Sequence, residues 1–384
     1  MNLSETVKYI GFYDNIHFPE ERRNHNLAAT DKMNYIASSI VKAGYKVRFI
    51  SPSWSANDKG WYKKRTSDVT YGISLTVGPT FGARNWITRK FRIGWSWLWL
   101  FCYLVCNVKR GEKVLAYHSL MMDFPLYCAK LIKGFKLILE IEEEYCVVIK
   151  QSRFFEWLEK KIIKCADYHL LSTDLMADAY AYMNKRNIVI YGNYMTYEIE
   201  KKEIEKDAIL IVYAGIIDSV KAGAFNAVKV AEYLDSKYKI HIIGFGSEVD
   251  VQLLMNEIEK SNKSNACKVQ YDGKKEGKAY IDYLSKFDIG LSTQVASGEY
   301  LKFSFPSKIL SYMGVGLRVV SSRIDCVQRS KINDLMVYYD DDSPIAIAKA
   351  IMSINWDIQF DTRERLLELN EQFVLEVKAL LEEY

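Results

Sequence analysis

The sequence has almost no excess of charge: 52 Lys and Arg against 48 Asp and Glu leave a formal net charge of +4. No Lys/Arg block is long enough to track a phosphate backbone, so no nucleic-acid partner is expected. Seven cysteines (Cys102, Cys106, Cys128, Cys146, Cys165, Cys267 and Cys326) are scattered, without a Cys-x-x-Cys pair or a zinc spacing. They are expected to be reduced core residues of a cytosolic protein. The opening MNLSETVKYIGFYD lacks the basic start, apolar stretch and cleavage site of a signal peptide, and a cytoplasmic location is expected. Its most apolar run, IGWSWLWLFCYLVCNV, is about four residues short of the roughly 20 that a spanning helix needs. Arg84, Arg89, Lys90 and Arg92 lead into this run, and Lys109 and Arg110 follow it. Two readings stay open for residues 84–110: a helix leaning on a sheet, or a peripheral face in the membrane interface, where Trp beside Arg suits the headgroup boundary. Opposite faces of one helix satisfy both.

What is present is the patterning of a folded α/β protein. A chain of 384 residues exceeds what one hydrophobic core usually supports, so two domains are expected. Short runs rich in Val, Ile and Tyr alternate with helix-length segments, the sign of parallel sheets covered by helices. In the first half the strands are KYIGFYD, KVRFIS, VTYGISLTV, KVLAYHS, KLILEIE, YHLLST and NIVIYGN, with helices over 32–43, 124–133, 154–166 and 174–183. After Tyr194 the chain turns polar, and then AILIVYAG, YKIHIIGFG, KVQYDG, FDIGLST, LRVVSS and LMVYYDD repeat the rhythm. The expected domains are 1–194 and 208–358, joined by a linker at 195–207. An amphipathic helix at 359–384 is free to cross back to the first domain.

In open parallel sheets ligands bind beyond the carboxyl ends of the strands. The second half carries glycine, serine or lysine in each such loop. Gly215 follows a strand, and Lys221 precedes a helix expected to start near Ala222, where an ammonium meets a diphosphate as a point charge. In FSFPSKILSYMGVGLRVVSS, Pro306 fits a first helical turn, with Ser307 and Lys308 among outward N–H groups. Gly314 and Gly316 then end the helix. Gly244 and Gly246 make a tight strand-to-helix turn that lacks the third glycine of a dinucleotide fingerprint. No acidic pair stands in these loops: Asp340, Asp341 and Asp342 read as a helix N-terminus, and no metal is expected.

Taken in order, these segments resemble the C-terminal half of the GT-B glycosyltransferases of family 4, common in capsule and O-antigen assembly, over roughly residues 208–354. The resemblance implies two Rossmann-like doubly wound domains facing a central cleft. It implies a donor site at Gly215, Lys221, Gly244, Gly246, Gly273, Lys274 (through its backbone), Ser307, Lys308 and Ser311. Ile216 stands where the family has arginine, and Ser311 where it has the glutamate that holds the nucleotide ribose. Glu299 is a candidate for touching the donor sugar, and His118, ending KVLAYHS, matches a family histidine that points at it. Arg22, Arg23 and Asn24 in the loop after the first strand are candidates for the acceptor. Glu140, Glu142 and Glu144 are expected to share one strand face, with Glu142 the acceptor contact among them.

The implied activity is retaining, metal-independent transfer from a UDP- or GDP-sugar substrate, without a cofactor. The acceptor is a saccharide or a polyprenyl-diphosphate-linked saccharide, with peripheral inner-membrane contact through residues 84–110. Two other readings stay open: a sugar-nucleotide 2-epimerase on the same fold, kept alive by the EIEEEY cluster, and a catalytically weak scaffold subunit, motivated by Ile216 and Ser311.

Overall fold

The computed structural model describes residues 5–14, 17–198, 208–219, 222–293, 304–358 and 360–383. The chain forms two compact units, Met1–Tyr191 with Glu371–Tyr384, and Gly192–Asn370.

The first unit is a doubly wound sheet. Its strands are β1 (Thr6–Ile10), β2 (Lys46–Ser51), β3 (Trp61–Tyr62), β4 (Arg65–Thr70), β5 (Ile73–Val77), β6 (Thr80–Phe81), β7 (Lys113–Tyr117), β8 (Lys136–Ile141), β9 (Tyr168–Leu171) and β10 (Asn187–Val189). Eight of them run in the order β10-β9-β8-β7-β1-β2-β5-β4, while β3 and β6 make a separate antiparallel pair. All pairings in the large sheet are parallel except β4 with β5. The segment VTYGISLTV, expected as one strand, is therefore the end of β4, a turn at Tyr71 and Gly72, and all of β5. Gly72, at φ 73°, adopts the left-handed conformation that reverses the chain.

Helices α1 (Leu27–Lys42), α2 (Trp86–Asn107), α3 (Leu120–Lys133), α4 (Tyr145–Val148), α5 (Arg153–Cys165) and α6 (Asp174–Tyr180) cover this sheet. Helix α1 starts ahead of the expected position because Asn26 caps it, accepting from the Ala28 N–H at 2.9 Å. Helix α2 takes in Arg89, Lys90 and Arg92 of the basic lead-in, with Arg84 just ahead of it, and is fixed at its start by the Asn85–Thr88 capping box. Arg92, Ser96, Leu100, Tyr103 and Leu104 form its buried face. Arg92 donates to the Ser55 carbonyl and Ser96 to that of Pro52. Among the described residues no helix is long and apolar enough to cross a membrane. Cys102 and Cys106, expected in the core, lie on the exposed side of α2; Cys267 and Cys326 are buried.

The second unit carries β11 (Ile209–Ile217), β12 (Tyr238–Gly246), β13 (Lys268–Tyr271), β14 (Ile289–Ser292), β15 (Arg318–Ser322) and β16 (Met336–Tyr339). They form an all-parallel sheet in the order β13-β12-β11-β14-β15-β16. This is the mononucleotide-binding winding, with its strand order reversing between β11 and β14. Helices α7 (Gly223–Val230), α8 (Glu248–Ser264), α9 (Gly277–Leu284), α10 (Lys308–Gly314), α11 (Asp325–Gln328) and α12 (Pro344–Met352) complete it. Helix α12 starts at Pro344 behind a Ser343 cap, so the aspartates at 340–342 precede the cap.

The last helix, α13 (Thr362–Glu382), is divided between the units. Its start belongs to the second, where Thr362 donates to the Met313 carbonyl at 2.8 Å. From Glu371 it belongs to the first: Phe373 is buried and stacks on Tyr35 with ring centroids 5.8 Å apart. Val377 and Leu380 follow on the same buried face. Burying side chains of this size contributes about 1.5–3 kcal/mol each, which is why this helix stays on the first sheet.

Candidate functional site

The switch point of the second sheet concentrates the features expected of a donor site. Strands β11 and β12 stay paired for nine residues, whereas β14 accompanies β11 only from Ile211 to Tyr213. A two-stranded lip thus projects past the carboxyl edge. Gly215 and Gly244 face each other at its base, so close that a methyl group on Gly244 would overlap the Gly215 carbonyl oxygen. Beyond them Ile216 and Phe245 sit side by side, both about half exposed. Gly246 is also required, since a methyl there would overlap the Ile217 carbonyl oxygen.

Lys308 reaches this lip from α10. A methyl group on Gly215 would overlap the Lys308 ammonium, which lies 5.0 Å from the centre of the Tyr213 ring. The Tyr213 face stabilises the cation while the missing side chain at 215 gives it room. The helix is held in place by Tyr312, one turn further on. Its ring lies over Gly290 where a side chain would collide, and its hydroxyl accepts from the Ala214 N–H at 2.8 Å and donates to the Leu291 carbonyl at 3.2 Å. Lys308 is therefore fixed to both strands at which the winding reverses. Replacing Tyr312 by Phe leaves the buried Ala214 N–H without its acceptor, and is expected to cost about 1–3 kcal/mol. A urea-unfolding midpoint unchanged from wild type would refute that account of how α10 is held.

The remaining donor candidates are placed as follows. Helix α10 begins at Lys308 rather than at Pro306, whose carbonyl instead accepts from the Ile309 N–H at 3.0 Å. Ser307 is exposed immediately before it. Ser311 is hydrogen-bonded to the Tyr280 phenol, whose pKa burial pushes up to about 12. Gly273 accepts from the Gly244 N–H at 3.1 Å and has φ 72°. Lys274 pairs with Glu276 at 2.6 Å and lies 5.3 Å from the Phe245 ring centre. The helix expected near Ala222 starts at Gly223, whose carbonyl accepts from Thr293 at 2.9 Å. Lys221 and Glu299 lie outside the described residues.

In the first unit several expectations are corrected. Arg23 is 3% exposed: its Nε meets Glu21 at 2.6 Å, and one terminal nitrogen donates to the Ser53 and Gly78 carbonyls at 2.8 and 2.9 Å. It staples the loop after β1 to the neighbouring strands instead of facing a ligand. Arg22 and Asn24, on either side, are exposed. Their backbones pair with residues 54 to 56, Asn24 N–H to Trp54 and Ala56 N–H to Arg22, both at 2.8 Å.

His118 is equally buried, 2% exposed, so its ring has no open surface from which to reach a sugar. Its Nε2 lies 3.3 Å from Asp123 and 3.6 Å from Glu159. Burial opposes the imidazolium, but the two carboxylates outweigh it and raise the pKa above the ordinary histidine value. Glu159 in turn accepts from the Tyr145 and Cys146 N–H groups at 2.6 and 2.9 Å, anchoring α4.

The acidic run also departs from expectation, because β8 ends at Ile141 and alternation stops there. Glu140 is buried and accepts from the Tyr9 phenol; Glu142 pairs with Lys32; Glu144 accepts from Tyr180 at 2.6 Å. Glu142 is thus paired with a lysine of α1 while remaining partly exposed. Burial first, and then the charge of Glu142, push the Glu140 pKa up to about 8.

Sequence reasoning missed Tyr213, Tyr312 and Thr293. Tyr312 stands four residues after Lys308, one helical turn away, and that spacing was a readable signal. The contact with Gly290 depends on packing between distant segments and was not.

No protein-family profile matches the sequence, and no curated protein is similar to it by sequence. Solved structures are similar in fold along the whole chain. The fold is that of the GT-B glycosyltransferases. One similar structure is described as trehalose-6-phosphate from E. coli bound with UDP-2-fluoro glucose, at TM-score 0.62 and 11% identity, covering 98% of both chains. Anabaena Alr3699/HepE in complex with UDP is similar at TM-score 0.62 and 10% identity, also covering 98% of both. A glycosyltransferase from Rickettsia africae ESF-5 is similar at TM-score 0.61 and 11% identity, over 97% of this chain and 93% of that one.

Proposed function

We propose that this chain is a glycosyltransferase that moves a sugar from a nucleoside diphosphate to a saccharide, with the donor's diphosphate at Lys308. The observation that carries the reading is the Lys308 ammonium seated between the Tyr213 ring and the side-chain-free Gly215, at the switch point of an all-parallel sheet. Structures of the same fold from E. coli and Anabaena hold UDP-2-fluoro glucose and UDP, which supports a uridine nucleotide as the first donor to try.

In the reaction the bond between the anomeric carbon and the diphosphate oxygen breaks as the acceptor hydroxyl oxygen bonds to that carbon. The electron pair stays on the diphosphate, where a preorganised ammonium stabilises it, and the proton of the acceptor hydroxyl passes to the departing diphosphate oxygen. Retention of configuration and metal independence are parts of the proposal that rest on the family resemblance. So is an acceptor carried on a polyprenyl diphosphate in cell-surface polysaccharide assembly. Within this reading Ser311, which is hydrogen-bonded to Tyr280, is assigned the contact of one hydroxyl with the donor ribose.

The test is thermal and chemical stability against a panel of nucleoside diphosphates and sugar nucleotides. One nucleotide at 100 times its dissociation constant is expected to stabilise the wild type by roughly 2.7 kcal/mol, and Lys308→Ala to remove that response. A panel without response at millimolar concentration, or a response indifferent to Lys308→Ala, would sink the donor assignment.

A further inference from the structure

The side of α2 that faces away from the sheet is apolar and basic together. Phe91 is 71% exposed and Leu98 55%. Ile87 and Trp95 lie on the same exposed side, four residues before and after Phe91, and Trp86 is exposed at the start of the helix. The apolar surface does not stop at α2. Trp97 packs against Phe124 of α3 with centroids 5.4 Å apart, Phe124 lies 6.1 Å from Phe154 of α5, and Phe154 lies 6.3 Å from Trp157. Phe124, Phe154 and Trp157 all remain exposed. Three helices thus share one aromatic face, which a water-soluble surface rarely leaves uncovered at this extent.

The charge around this face has one dominant sign. From residue 69 to residue 111 the sequence contains no Asp or Glu, while Arg84, Arg89 and Lys90 are exposed at the start of α2. On α5, Arg153, Lys160, Lys161 and Lys164 are exposed and only Glu156 offsets them, Glu159 being buried against α4. Two of these cations already lie by tryptophan rings, Lys90 by Trp86 at 4.8 Å and Lys161 by Trp157 at 5.9 Å. Tryptophan with a basic rim is the chemistry of the headgroup boundary of an anionic bilayer, and the buried face of α2 keeps the helix parallel to that surface rather than across it.

We propose that the face shared by α2, α3 and α5 docks the first unit onto a bilayer surface containing anionic phospholipid. It deepens the membrane contact expected for residues 84–110 by adding α3 and α5 and by fixing the charge of the lipid. It uses no donor-site residue, so it and the glycosyltransferase reading fail separately.

The experiment is co-sedimentation of the full chain with vesicles of phosphatidylcholine alone or mixed with phosphatidylglycerol, with tryptophan emission recorded. Binding to the mixed vesicles, a blue-shifted emission and weakening with added salt are expected. Arg89→Glu with Lys90→Glu should weaken binding by about tenfold or more, since each cation near such a surface contributes. Phe91→Ser with Leu98→Ser should do the same, and both pairs should keep the wild-type unfolding temperature, because all four side chains are exposed. Absence of binding to the mixed vesicles, or equal binding by wild type and both variants, overturns the proposal. So does lipid-free self-association that Phe91→Ser with Leu98→Ser abolishes, which would assign the face to a second copy of the chain.

Discussion

Gly244→Ala is expected to unfold the second unit at markedly lower denaturant than wild type, with a loss of about 3–5 kcal/mol. Two costs add at this position. Its φ of 149° lies where residues with a side chain are strained, by roughly 1–3 kcal/mol. A methyl group would also overlap the Gly215 carbonyl oxygen, and because that atom is backbone the strands must part to admit it. Parting them moves Gly215 away from the Lys308 ammonium, so any nucleotide response should fall along with stability. Gly273→Ala is the matched comparison. Its φ of 72° is also unfavourable, but nothing lies within 4 Å of where the methyl would sit, so only the backbone strain of about 1 kcal/mol is expected. Urea titrations of the two variants that gave equal losses would show that the close approach of β11 and β12 contributes nothing.

Stability should fall as pH rises from about 5 to 8, and Glu140→Gln should remove much of that fall. The carboxyl of Glu140 has its pKa pushed up to about 8, against an ordinary value of 4.5. Between those values the folded chain keeps a proton that the unfolded chain releases. The contribution is therefore complete below the ordinary value and is lost as pH passes through the folded one. For a buried group of this kind the loss is on the order of 3 kcal/mol by pH 8. Gln keeps the shape and an oxygen for the Tyr9 phenol while having no proton to lose. His118 works in the same direction, since its raised pKa makes its imidazolium stabilising below the ordinary histidine range and ineffective once pH exceeds the folded value. Comparing wild type with Glu140→Gln across pH isolates the carboxyl. Parallel stability curves for the two would mean that Glu140 ionises without penalty in the fold.

The second unit was the more legible in the amino-acid sequence, because most of its strands are short apolar runs ended or closely followed by glycine, serine or aspartate. Short apolar runs bounded by turn residues are consistent with buried parallel strands. Gly215 and Lys308 were legible for a related reason: a glycine at a strand end and a lysine at a helix start carry information in their backbone positions. In the first unit the side chains decide more. His118, Arg23 and Glu142 look alike in sequence whether they face solvent or a buried partner, and Asp123, Glu21 and Lys32 are the partners that decide it. The Lys32–Glu142 pairing joins residues 110 apart and leaves no local signature, while Glu21 and Asp123 stand close to their partners in sequence but only the fold buries them together. The reversal at Gly72 was hidden because apolar alternation continues on both sides of the turn.

Helix α13 makes the chain indivisible by a single cut. A fragment ending at Tyr191 holds every strand of the first sheet but leaves uncovered the surface on which Phe373, Val377 and Leu380 rest, Tyr35 included. A fragment beginning at Gly192 holds the complementary sheet and a helix whose second part has lost its floor. Isolating the first unit thus calls for a rearranged gene in which the segment from Glu371 onward is spliced to the opening residues, because the order of synthesis and the order of packing differ here.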